Sequence, residues 1–74
     1  MDKIAFWDYV MRCNWDDDIL AELIGIPTVI LQMWVTGEVE PNRRVLYRVA
    51  GWISVKLDLN RDEVFKNIMG ENNE

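Results

Sequence analysis

The chain has 74 residues, half of them apolar and 28% charged, with four Trp, two Tyr and two Phe. That is room for one small domain and enough apolar surface to offset the entropy of ordering it, which excludes two domains and an unfolded chain. The net charge of −5 is uneven. Residues 1–40 carry Lys3 and Arg12 against Asp2, Asp8, Asp16, Asp17, Asp18, Glu22, Glu38 and Glu40, a balance of −6, and the remainder balances at +1.

Ile4, Trp7, Val10 and Met11 recur at helical spacing and predict a first helix over residues 3–12 with these side chains inward. It ends near Asn14, with Cys13 expected as a half-buried free thiol, since one cysteine cannot form an internal disulfide. The run Asp16-Asp17-Asp18 supplies an N-cap and acidic first-turn residues for a second helix through Ile24, with Leu20, Leu23 and Ile24 inward and Gly25 closing it. Three consecutive acids on one turn do not converge as cation ligands do, so no metal site is expected there.

Ile26 tethers the next turn, and Pro27 sits where its missing N–H costs nothing, at the start of a third helix from about residue 28 to Thr36. Leu31 and Trp34 share its inward face, and Gly37 takes the left-handed cap position. A loop from Glu38 to Asn42 follows. Val45, Leu46, Val49, Ile53 and Leu57 predict a long fourth helix, and Asn60 with Glu63 has capping-box spacing for a fifth that carries Val64, Phe65, Ile68 and Met69. Gly70 ends it, leaving residues 1–70 as the domain and residues 71–74 as an expected flexible tail. Trp34 belongs to the core, while Trp7, Trp15 and Trp52 fit either core or interface.

The stretch LAELIGIPTVILQMWVTGEVEP resembles the helix-turn-helix of the lambda-repressor-like, Cro-type (xenobiotic-response-element) family. Leu20-Ala21 match the family's Leu-Ala, Gly25 its turn glycine and Ile26 its buried aliphatic residue. Leu31 and Trp34 match the core pair of the recognition helix, and Gly37 and Pro41 bracket the loop after it. Leu57, Leu59 and Glu63-Val64-Phe65 resemble the closing segment, with about one extra helical turn before Leu57. The resemblance covers residues 5–66 and implies an all-α, five-helix Cro/lambda-repressor-like domain with a lengthened fourth helix.

Under that resemblance Thr28, Val29, Ile30, Gln32 and Met33 form the recognition surface. Thr28 and Gln32 can hydrogen-bond to base edges, and Val29 or Ile30 can touch a thymine methyl. Phosphate contacts supply most of the affinity of such complexes, yet the places implied for them hold Asp16, Asp17, Asp18, Glu38 and Glu40. Arg43, Arg44 and Arg48 are the nearby basic cluster, read as a solvated helix face or as phosphate contacts. The outward Val29, Ile30 and Met33, extended by Val35 and Val39, suit a protein partner better than a phosphate backbone.

The leading expectation is therefore a small phage- or prophage-type regulator that modulates transcription through contacts of its acidic and apolar face. Its partner is another regulatory protein or a second copy, and mimicry of DNA in a partner's groove is one mode. The alternative is a sequence-specific DNA-binding repressor or activator, a dimer with recognition helices ~34 Å apart. Without histidine, and with Cys13 lacking an imidazole partner, no catalysis is expected, and no cofactor, metal or small-molecule substrate. The N-terminal segment lacks the apolar core of a signal peptide, and the uncharged run Ile24 to Gly37 is too short for a membrane span, so the expectation is a cytoplasmic protein.

Overall fold

Each of the five helices begins and ends on a residue whose chemistry stops the chain there. In the computed structural model, which describes residues 1–70, these are α1 (Lys3–Arg12), α2 (Asp17–Ile24), α3 (Thr28–Thr36), α4 (Arg43–Leu57) and α5 (Arg61–Met69). The described residues form no strand. The tail expected over 71–74 lies outside them.

Side-chain oxygens of Asp2, Asp16, Asn42 and Asn60 accept from backbone N–H groups of Ala5, Ile19, Arg44 and Glu63, each satisfying a donor that the first helical turn leaves open. Only α3 lacks such a cap, because Pro27 occupies the position and has no side-chain acceptor. Gly25 and Gly37 close α2 and α3 with φ of 90° and 86°, values an L side chain adopts only with strain. Asp58 does the same for α4 at φ 58°, a conformation Asp tolerates better than most residues.

The core is one cluster. Leu46, Val49, Ala50 and Ile53 form the buried stripe of α4, against which Val64 and Ile68 of α5 and Phe6, Tyr9, Val10 and Cys13 of α1 pack. Leu20 and Ala21 of α2 join Leu31 and Trp34 of α3 on its other side, and the Phe6 and Trp34 rings meet edge to face at 6.1 Å. Two polar links fasten the chain's beginning to its end: Asp2 N–H donates to the Ile68 carbonyl at 2.7 Å, and Asn67 donates to the Tyr9 hydroxyl at 2.8 Å.

Between α2 and α3 the chain turns by 108° through three residues, Gly25-Ile26-Pro27. Among the described residues no single helix is long and apolar enough to cross a membrane.

Three sequence expectations need correction. On α1 the inward stripe is Phe6, Tyr9, Val10 and Cys13, while Ile4 and Met11 point outward, 85% and 74% exposed, and Trp7 is half-buried. Both stripes satisfy helical periodicity, and packing against α4 and α5 selects the one that continues into Cys13. That thiol is fully buried rather than half-buried, at 1% exposure. Leu23 on α2 is exposed, because the core side of that helix is taken by Leu20 and Ala21.

Leu31→Ala is expected to lower unfolding free energy by about 2–5 kcal/mol through lost burial and a residual cavity, while Ile4→Ala stays within about 0.5 kcal/mol. Urea denaturation followed by tryptophan fluorescence measures both.

Candidate functional site

The outward face of α3 begins beside an acidic cleft. Its walls are Asp16, Asp17 and Asp18 from the start of α2 and Thr28 and Gln32 from the first turns of α3. The turn between the two helices brings these groups together, and the Thr28 hydroxyl donates to an Asp18 carboxylate oxygen at 3.1 Å. Asp16 is engaged in capping, whereas Asp17 projects into solvent. A polar residue suited to reading a base edge is thus already bonded to a carboxylate, and a phosphate approaching it would meet the Asp run.

The other two acids lie elsewhere. Glu38 and Glu40 follow the C-terminal end of α3, about 13 Å along the helix from Thr28 at the standard rise. Glu40 lies 3.2 Å from the amino group of Met1 while staying exposed, and Glu38 is solvated. The Lys3 ammonium also lies 3.3 Å from where a Cβ on Gly37 would stand, so this end of α3 holds both signs of charge, and the face is acidic at its N-terminal end.

Val29 is 54% exposed on this face, whereas Val35, 47% exposed, stands about 120° round the helix from it and borders α1. Ile30 and Met33, expected outward, are half-buried: they present part of their surface to solvent and lend the rest to packing. Gln32 is exposed.

Arg43, Arg44 and Arg48 do not join this face's cleft. Arg43 and Arg44 border a shallow depression with Tyr47 and Phe65. The Arg43 guanidinium lies 5.0 Å over the Phe65 ring, and Arg61, which sequence reasoning missed, lies 4.6 Å over Tyr47. Arg61 can lie there because α4 has Gly51 beneath it; an added Cβ would approach its Cδ to 3.3 Å. Tyr47 and Phe65 meet edge to face at 5.1 Å, so this is an arginine-aromatic surface shared by α4 and α5. Arg48 is exposed.

A second apolar surface was hidden by the misread stripe of α1. Ile4, Trp7 and Met11 line a groove with Val35 of α3, flanked by Lys3 and Asp8. The Trp7 indole N–H is closed off from solvent and has no acceptor among the described residues, which costs about 1–3 kcal/mol. Two equally apolar stripes on one short helix were the available signal, since a surface helix ordinarily needs only one.

Among the described residues no group of three His, Cys, Asp or Glu side chains could hold a metal ion. Burial pushes the Cys13 thiol above its ordinary pKa, with Lys56 and Arg12 acting in the opposite sense, so it is held as the neutral, weakly nucleophilic form.

Compared with known proteins, the chain matches no family model, no curated protein and no solved structure.

A thiol pKa raised in the fold means the native state keeps its proton where the unfolded chain has lost it. Its stabilising contribution is full below the unfolded thiol's pKa and is lost as pH rises from near the ordinary 9.0 toward the folded value. Stability measured over this range should fall with pH in the natural chain, and Cys13→Ala should fall less steeply. A thiol reagent should label the native protein only as fast as it opens.

Proposed function

We propose that this chain is a small regulatory protein of the Cro-type helix-turn-helix class that acts by binding another regulatory protein through the outward face of α3. The observation that carries this reading is the composition of that face: exposed Val29 with half-exposed Met33 and Ile30 beside it, the Asp16–Asp18 run at its start and no basic residue on α3. A three-residue turn and a bend of 108° between α2 and α3 support the helix-turn-helix assignment, since helices of that motif cross at about 90–120°. Resemblance supplies the regulatory setting, a phage- or prophage-type switch of transcription in the cytoplasm.

Contact with protein is favoured by desolvation. Apolar side chains exposed side by side gain from leaving water together, about 25 cal/mol per Å² of apolar area. The flanking acids repel phosphates and select a partner with a basic rim. Such a rim is what a DNA-binding protein presents to its operator, so occupation of that surface would make the chain an inhibitor by mimicry.

One set of observations favours the second reading, a DNA-binding dimer. Gln32 is exposed on α3, and Arg44 and Arg48 are exposed on α4. Binding of that kind would weaken steeply with salt, by about 0.9 log units per log unit of salt for each phosphate neutralised.

The experiment is an affinity capture from the native host, nuclease-treated, run with the natural chain, Val29→Asp, and Arg44→Ala with Arg48→Ala. The three side chains are exposed, so both variants should keep their helical circular dichroism. Loss of a stoichiometric protein with Val29→Asp alone is the expected result. Enriched DNA in an untreated parallel, lost with the arginine pair, would replace this proposal with the DNA reading.

A further inference from the structure

Ile4 and Met11 on the outer side of α1 are left largely exposed by the described residues, and together with Trp7, which packs partly against Phe6, their spacing is that of a helix seam. Ile4, Trp7 and Met11 stand at positions a, d and a of a heptad, the pattern by which two helices pack side by side. Ile4 and Met11 are the most exposed apolar side chains of the helix, and Trp7 lies between them. Lys3 and Asp8 flank this seam as its g and e residues.

These two charges decide the occupant. In a parallel helix pair, each g residue meets the e residue five positions further along its neighbour, so Lys3 of one copy would face Asp8 of the other, and the reverse. The two-fold axis makes both pairs at once. An antiparallel arrangement would instead bring g residues together and e residues together, setting lysine on lysine and aspartate on aspartate.

We infer that α1 is the homodimer seam of this protein, formed by parallel packing of Ile4, Trp7 and Met11 against a second copy with reciprocal Lys3–Asp8 pairs. In the isolated chain Asp8 has only a long contact with Arg12, 3.8 Å and solvent-exposed, which leaves it able to exchange partners. Val35 of α3 borders the seam and widens its apolar area.

The other apolar depression is a poorer candidate for self-association. Trp15, Leu23, Trp52 and Val55 line it, and its charged wall is Lys56. A two-fold contact there would bring like charges together.

The test is sedimentation equilibrium of the full chain. The natural protein should sediment as a dimer, at twice its 8.8 kDa. Ile4→Glu with Met11→Glu should raise the dissociation constant about a hundredfold or more while leaving the thermal midpoint of the monomer unchanged. Lys3→Glu or Asp8→Lys alone should weaken the dimer about three- to tenfold, and the two combined should recover it. Ile4→Cys should form a disulfide-linked dimer on mild oxidation, because a positions of parallel helices face each other; native Cys13 is buried and does not compete. A natural chain still monomeric at about 1 mM would overturn the inference. So would a dimer that survives the Ile4/Met11 change and is lost with Val55→Asp, or failure of the Lys3/Asp8 exchange to restore affinity.

Discussion

Everything in this molecule depends on one buried column, Leu46, Val49, Ala50 and Ile53 along α4, all nearly inaccessible to solvent. A chain of this size has one chance to build a core, and the longest helix supplies its axis. α5 returns along α4 after the turn at Asp58, and α1 closes over both with Phe6, Tyr9 and Val10. Phe6 reaches further, to the edge of Trp34, and so clips α3 to the same column. Since Leu31 and Trp34 do the holding, the opposite side of α3 has little structural duty. Ile30 and Met33 lend part of their surface to packing, while Val29 and Gln32 stay exposed on that side.

How legible this was differs from helix to helix. The ends were plain, because Asp16, Asn60 and the glycines at 25, 37 and 70 each have a local reason to stop or start a helix that needs no knowledge of the rest. The inward face of α3 was read from the match of Leu31 and Trp34 to a recognition-helix core pair, since Ile30 and Met33 have the same spacing and similar bulk. The inward face of α1 was not plain. Both Ile4-Trp7-Met11 and Phe6-Tyr9-Val10-Cys13 are regular helical stripes, and only the long-range bond from Asn67 to the Tyr9 hydroxyl and the packing of Cys13 distinguish them. Periodicity says how a face repeats along a helix, and it is silent about which of two such faces a distant element will cover.

The candidate site divides the same way. Its acidity was read directly from the Asp run, but the bond from Thr28 to Asp18 needed the turn that brings the two helices together. The arginines illustrate the reverse error. Sequence proximity set Arg43 and Arg44 beside α3, whereas Tyr47, Phe65 and Arg61 draw them into a surface of their own with α5. Stacking on an aromatic face holds a guanidinium at little entropic cost. Glu40 is paired with the Met1 amino group, whereas the Asp run and the arginines sit on separate surfaces.

Exposed apolar side chains on a monomer call for a reason when they gather in one place. Ile4 and Met11 give the fold almost nothing: they touch little, and polar residues there would serve a solvated helix better. Trp7 between them carries an indole N–H without an acceptor among the described residues, a cost that a phenylalanine would avoid. Trp7 packs partly against the core, its ring edge to face with Phe6 at 4.9 Å, but no requirement of the core accounts for Ile4 and Met11 at this spacing. A helix that meets another helix does account for them, and for the lysine and aspartate placed on either side. The dimer so formed would border Val35 but not Val29, which stands about 120° round α3 from it, so that association with a second copy and recognition of a different partner draw on different sides of the same small domain.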